Sequence, residues 1–240
     1  MSALRFKTGF HNAYEVWMIE AVLFDLDGTL IEFSYNYAAA RRLIIAGLIE
    51  MGVEENVLSE SKPASVNVED AVMFMRRRGF SEDELRILRR KAYEAVEPLE
   101  LEAAENPVVR DGIPDLLSWL RAKGVKTAVC TNNCRKASEI ILRKTRLKRF
   151  FKHVLTREDV ERLKPFPDLI IKACEKLGTI PGKTIHVGDS PIDIAAAMNA
   201  GAKPIGIVSS LYSVERLRDA GAELVAINPD ELRELLSAWF

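Results

Sequence analysis

The sequence predicts an α/β protein, a Rossmann-like parallel sheet with helices on both faces that is interrupted by an inserted all-helical cap domain. Three observations predict it. Short apolar runs alternate with helix-period segments over residues 18–31 and again over 107–240. Residues 32–106 break that alternation and read as helix throughout. The apolar runs also end in polar strings, several containing glycine, as parallel strands do where they enter the loops at their carboxyl ends. Residues 1–17 stand apart as an N-terminal extension, and their scattered charges (Arg5, Lys7, His11, Glu15) rule out a signal-peptide apolar region.

Ile19 to Phe24 reads as the first buried strand. In the insertion, Tyr37, Ala40, Ile44, Leu48 and Met51 share one helix face, and Gly52 stops the run. A second helix spans about Val68 to Arg78, ended by Gly79. Ser81 and Glu84 have capping-box spacing, and Leu85, Leu88, Ala92 and Val96 carry a helical period to Pro98. A helix from Pro114 to Lys123, punctuated by Gly124, leads into a second strand, Val125 to Cys130. Further strands fall at His153–Leu155, Thr184–Val187, Pro204–Val208 and Glu223–Ile227. Helices fit between them at Arg135–Arg146, Asp168–Leu177, Ile192–Asn199 and Val214–Ala220, and a last one starts at Pro229 with Asn228 as its N-cap. This alternation implies crossover connections and a covered parallel sheet.

Composition narrows the function classes. The 34 basic and 35 acidic residues leave a net charge of -1, so no basic excess points to nucleic acid. No segment has the uninterrupted apolar length of a membrane span. Cys130, Cys134 and Cys174 make no disulfide framework and no zinc site, and read as core residues in a reducing, cytoplasmic setting. No nucleic-acid or membrane partner is expected, and the expected assembly is a monomer or homodimer.

Four polar clusters follow from reading the strand ends. They are Asp25-Leu26-Asp27-Gly28-Thr29-Leu30, Thr131-Asn132-Asn133, Lys164-Pro165-Phe166-Pro167 and Gly188-Asp189-Ser190-Pro191-Ile192-Asp193. Converging on one edge, they bring together four carboxylates, one ammonium and the hydroxyls of Thr29, Thr131 and Ser190. Packed carboxylates stay ionised together only with a compensating cation. Oxygen donors without His or Cys favour Mg²⁺. A carboxylate held against phosphorus acts as a nucleophile, a second one exchanges protons with the leaving oxygen and the attacking water, and a Lys neutralises phosphoryl charge.

In order and in type, these four motifs resemble those of the haloacid dehalogenase superfamily, in its phosphatase branch with a helical cap inserted after the first strand. The DxDGTL string at Asp25–Leu30 is specific, and the four motifs together more so. The resemblance implies a Mg²⁺-dependent phosphomonoesterase acting on a small soluble phosphorylated metabolite, phosphoglycolate among the candidates, through an aspartyl-phosphate. Carried over by position, it implies Asp25 as nucleophile and metal ligand, and Asp27 as general acid/base lending its backbone carbonyl to the metal. It implies Thr131 and Asn132 as phosphate-binding residues and Lys164 as the bridge between nucleophile and phosphate. Asp189 is implied as a metal ligand, and Asp193 as a metal support, direct or through water. The insertion is implied to close over the substrate, with the stretch after Leu30 as a hinge. Tyr35, Arg41 and Arg42 are candidates for substrate contact from the cap.

The alternatives are a phosphotransferase or mutase resembling β-phosphoglucomutase, a dehalogenase, and a non-catalytic binding module. A dehalogenase is disfavoured by Asp27, and a binding module by the filling of every expected catalytic position. Elsewhere, His186 reads as a core histidine with a satisfied hydrogen bond. The runs Arg76-Arg77-Arg78 and Arg89-Arg90-Lys91 read as solvated helix faces, and Met73, Phe74 and Met75 as cap core.

Overall fold

The computed structural model describes residues 19–32 and 35–240; the expected extension over residues 1–17, and Phe33 and Ser34 in the expected hinge, lie outside the described residues. Among the described residues, six strands, β1 (Ala21–Phe24), β2 (Lys126–Cys130), β3 (His153–Leu155), β4 (Thr184–Gly188), β5 (Lys203–Ile207) and β6 (Leu224–Ala226), pair in the order β3-β2-β1-β4-β5-β6. All pairings are parallel. Among the described residues, four α-helices lie between β1 and residue 104: α1 (Tyr37–Glu50), α2 (Ala64–Arg77), α3 (Glu82–Glu94) and α4 (Glu97–Ala103). The others are α5 (Ile113–Ala122), α6 (Arg135–Lys144), α7 (Asp168–Leu177), α8 (Pro191–Ala200), α9 (Val214–Asp219) and α10 (Pro229–Ser237).

Strand alternation sorts the core into two layers. Val22 and Phe24 face Leu116, Leu120, Ile141 and Leu232, on α5, α6 and α10. Ala21 and Leu23 face the opposite side, against Leu169, Ile170 and Ala173 of α7 and Ala196 and Ala197 of α8. Phe24 adds an edge-to-face contact with Phe151 at 6.1 Å. The insertion has its own apolar cluster: Ala40, Ile44 and Leu48 meet Val68, Val72, Leu85 and Leu88.

The insertion departs from the sequence reading in four places. α2 starts at Ala64, ahead of the apolar period at Val68, because the polar residues there are spent on long-range contacts. Ser65 Oγ donates to the Lys164 carbonyl at 2.6 Å, and Asn67 exchanges two bonds with the Ser59 backbone, at 2.8 and 2.9 Å. The helix read as running to Pro98 is two helices. α3 ends at Glu94, and Pro98, which lacks an N–H and clashes with the preceding turn, sits in the first turn of α4. Arg89 is not solvated: the inward stripe of α3 carries it beside Leu85, Leu88 and Ala92, where it grips Glu69 with two bonds of 2.8 Å. Met73 is 51% exposed and lies outside the core, whereas Met75 is buried.

One buried ion pair ties the insertion to the sheet. Arg157, just past β3, donates to Glu100 of α4 at 2.7 Å, with side-chain exposures of 7% and 4%. Glu100 also accepts the Cys134 N–H at 3.1 Å. The Arg157→Met variant leaves that carboxylate buried and unpaired. We expect it to lose about 3–5 kcal/mol of stability, read from the denaturant midpoint. A midpoint within about 0.5 kcal/mol of wild type, the usual range for a surface change, would show that the pair does not hold the two parts together.

Candidate active site

Parallel register brings the strand ends level. Phe24 lies opposite both Val129 and Val187, so the residues leaving β1, β2 and β4 emerge side by side. Asp25, Thr131 and Asp189 are those residues, and all three are buried. The N-terminus of α8 adds Asp193, fixed by a capping box in which Ser190 N–H donates to Asp193 Oδ2 at 3.2 Å. Gly28 is required by close approach: with φ of 79°, a Cβ there would fall 2.2 Å from Asp189 Oδ2.

Lys164 is the hub. Its buried Nζ donates to Asp25 Oδ1 at 2.5 Å, to Asp193 Oδ1 at 2.5 Å and to the Cys130 carbonyl at 2.9 Å. Asn132 sets its backbone, accepting the Lys164 N–H at 3.0 Å and donating to the Lys164 carbonyl at 3.1 Å. Burial lifts the Asp25 carboxyl well above the usual range; Lys164 pulls it down, and the charges of Asp193, Asp189 and Asp27 push it further up. Burial and the Asp193 charge push Asp189 up to about 7. Asp193 goes the other way: burial opposes its ionisation, but the Lys164 ammonium and the His186 hydrogen bond together hold it below the carboxylate range.

Asp27 turns away from that group. Its Oδ2 accepts from Asn133 Nδ2 at 2.5 Å, and burial raises it to about 6 against the pull of Asn133 and Lys164. Thr131 Oγ1 accepts the Asn133 N–H at 3.2 Å, so the hydroxyl shapes the loop that carries Asn132 and Asn133. A cavity of about 120 Å³ opens beside Asp189, Asn132 and Asn133. Tyr35 and Arg41 line it, whereas Arg42 is exposed on α1 and is not among its lining residues.

Three supports escape sequence reasoning. Asn133 belongs to a polar cluster, but nothing local signals its bond to Asp27. His186 is the hydrogen-bonded core histidine expected, but the sequence does not name its partner: its Nε2 lies 3.3 Å from Asp193 Oδ1, and its buried Nδ1 has no partner among the described residues. Burial holds its ring below the ordinary histidine pKa, which keeps it neutral and able to donate to Asp193. Arg110 is buried and donates to the Gly28 carbonyl and, at 2.7 Å, to the Val208 carbonyl, clamping the loop after β1 to the end of β5. No pattern singles it out from the other basic residues.

The donor set fits a hard divalent cation. Carboxylate oxygens of Asp25, Asp189 and Asp193, all buried, lie within 4.8 Å of one another. Among the described residues Lys164 pairs with Asp25 and Asp193, and Arg110 lies within electrostatic reach of Asp189, too little positive charge for four ionised carboxylates. The set is all oxygen, which suits Mg²⁺.

A parallel sheet with level acidic strand ends defines an α/β protein with a carboxylate-rich candidate site at one edge of the sheet, and the comparisons identify its family. The chain belongs to the haloacid dehalogenase-like hydrolases, whose family model matches residues 19–201. It is 31% identical to the pyrophosphatase PpaX of Anoxybacillus flavithermus, over 83% of this chain and 88% of that one. It is 29% identical to the phosphoglycolate phosphatase of Pseudomonas putida, over 95% of this chain and 83% of that one. Among solved structures it resembles a hydrolase from Pseudomonas syringae (TM-score 0.64, 25% identity, 91% of this chain and 98% of that one). It also resembles a hydrolase of the same family from Deinococcus radiodurans with bound phosphate and sodium (TM-score 0.60, 25% identity, 93% and 97%). No helix among the described residues is long and apolar enough to cross a membrane.

Proposed function

We propose that the chain is a Mg²⁺-dependent phosphomonoesterase that hydrolyses a small soluble phosphorylated metabolite through an aspartyl-phosphate on Asp25. The observation that carries this reading is the Lys164 ammonium bridging Asp25 and Asp193 beside Asp189. Such a group neutralises phosphoryl charge next to a carboxylate nucleophile. The relatives named as a phosphoglycolate phosphatase and a pyrophosphatase, and the neighbour that holds phosphate, support the same chemistry.

Asp25, Asp189 and Asp193, with the Asp27 backbone carbonyl, would hold Mg²⁺, which when bound offsets negative charge on phosphoryl oxygens. Thr131 and Asn132 orient the phosphoryl group. An Asp25 oxygen attacks phosphorus as the bond to the leaving oxygen breaks, and Asp27 gives that oxygen its proton. Its raised pKa, about 6, suits it to carry a proton near neutrality. Water then attacks the aspartyl-phosphate, Asp27 takes back a proton, and Asp25 and orthophosphate separate. Lys164 stays charged throughout.

Residues 32–106 act as the cap in this reading, over a core of residues 18–31 and 107–240. Support comes from the cavity, whose walls include Tyr35, Ala40, Ser65 and Val96 from the insertion together with Asp189 and Ser190 from the core. The test is a Mg²⁺-supplemented screen of purified protein against phosphoglycolate, sugar phosphates, nucleotides and inorganic diphosphate. Free orthophosphate is the expected product. An isomerised sugar phosphate with little orthophosphate would make the chain a mutase, and silence on every compound of the panel would remove the phosphomonoesterase reading.

A further inference from the structure

The cavity beside Asp189 carries an unspent positive charge. Arg41, from α1, is the only Lys or Arg among the described residues that line it. Its guanidinium makes no ion pair among the described residues and bonds only the backbone carbonyl of Glu60, while its buried Nε has no hydrogen-bond partner. A buried donor left unmade is costly, so its natural complement is an acceptor from outside the chain. The two carboxylates that share the cavity are otherwise committed. Glu100 is held by Arg157 and the Cys134 N–H, and Asp189 belongs to the acidic cluster. Tyr212, reaching in from the loop after β5, lies within electrostatic reach of both Asp189 and Arg41.

We propose that Arg41 and Tyr212 form a second-anion seat, so that the enzyme selects short phosphate compounds carrying another anionic group at the far end. The inference rests on the phosphatase reading above and adds the substrate class to it. The phosphoryl group sits at Asp25, and the far anion meets Arg41 and the Tyr212 hydroxyl. Arg41 lines the same cavity as Asp189, whose carboxylate oxygen lies within 4.8 Å of one of Asp25, so the connection between the two ends is short and crosses mostly apolar walls such as Tyr35, Ile44 and Val96. A phosphorylated short carboxylic acid and an inorganic diphosphate both have this chemistry.

The test uses three non-hydrolysable probes with Mg²⁺ present, their affinities measured by calorimetry. Phosphonoacetate carries a carboxylate, methylenediphosphonate a second phosphonate, and ethylphosphonate an uncharged tail. Wild type is expected to bind at least one of the first two roughly 10- to 100-fold more tightly than the third, the usual worth of a charge-assisted hydrogen bond. Whichever keeps that advantage identifies the source of the far anion. In Arg41→Met the advantage falls to near unity, Arg41→Lys keeps part of it, and Arg42→Met, on the exposed side of α1, keeps all of it. Comparing probes within each variant separates loss of the seat from general damage. No preference in wild type, or equal loss in Arg41→Met and Arg42→Met, overturns the seat even if esters are hydrolysed. Selective probe binding without turnover of any ester or of inorganic diphosphate would keep the seat and remove the phosphatase reading.

Discussion

The Asp25→Asn variant is expected to fold and to lose turnover of every phosphate ester, a fall on the order of 10⁴-fold or more, as when a covalent nucleophile is removed. An amide has the shape of the carboxylate but cannot form the acyl phosphate. Stability should hold or rise, because Asp25 sits buried among Asp189, Asp193 and Asp27, and its charge is opposed by burial and by all three neighbours. Lys164 keeps Asp193 as its ionic partner in the variant. The check pairs thermal melting with an orthophosphate-release assay. Wild-type-like release from a folded Asp25→Asn protein would remove the nucleophile assignment.

Asp27→Asn is expected to lower the rate by roughly 10²–10⁴, the usual worth of positioned acid–base catalysis. The substitution keeps a polar partner for Asn133, so the loop after β2 should hold its shape. The loss should depend on the leaving group. An ester of nitrophenol, whose leaving oxygen needs no proton, should show a smaller defect in the first step than an alkyl ester. A defect of equal size for both would assign the proton transfer to another group, and no defect at all would remove Asp27 from the chemistry.

Much of this architecture is legible in local sequence. The strands are short apolar runs, and β3 and α7 have the limits that the pattern predicts. The site residues lie in compact strings that follow those strands, so their convergence at one edge follows from the sheet's geometry. What escapes is pairing at a distance. Asn133 is 106 residues from Asp27, and Arg110 is 82 from Gly28, and no periodicity links such partners. Arg89 shows the same limit in the insertion. A run of basic residues looks solvated until the stripe through Leu85, Leu88 and Ala92 turns one of them inward to Glu69. The break between α3 and α4 is hidden because the apolar period runs on through Val96, whereas the backbone must yield at Pro98.

The central claim is that Asp25, Asp189 and Asp193 gather around a single divalent ion. Calorimetric titration of Mg²⁺ into chelator-stripped protein tests it most directly, with the Asp189→Asn variant alongside. The account predicts saturable binding of a single ion per wild-type chain, and binding weaker by roughly 10-fold or more in the variant, given that lost supporting groups alone cost that much. Equal binding by the two proteins, or no binding by wild type while ester turnover continues, would contradict it.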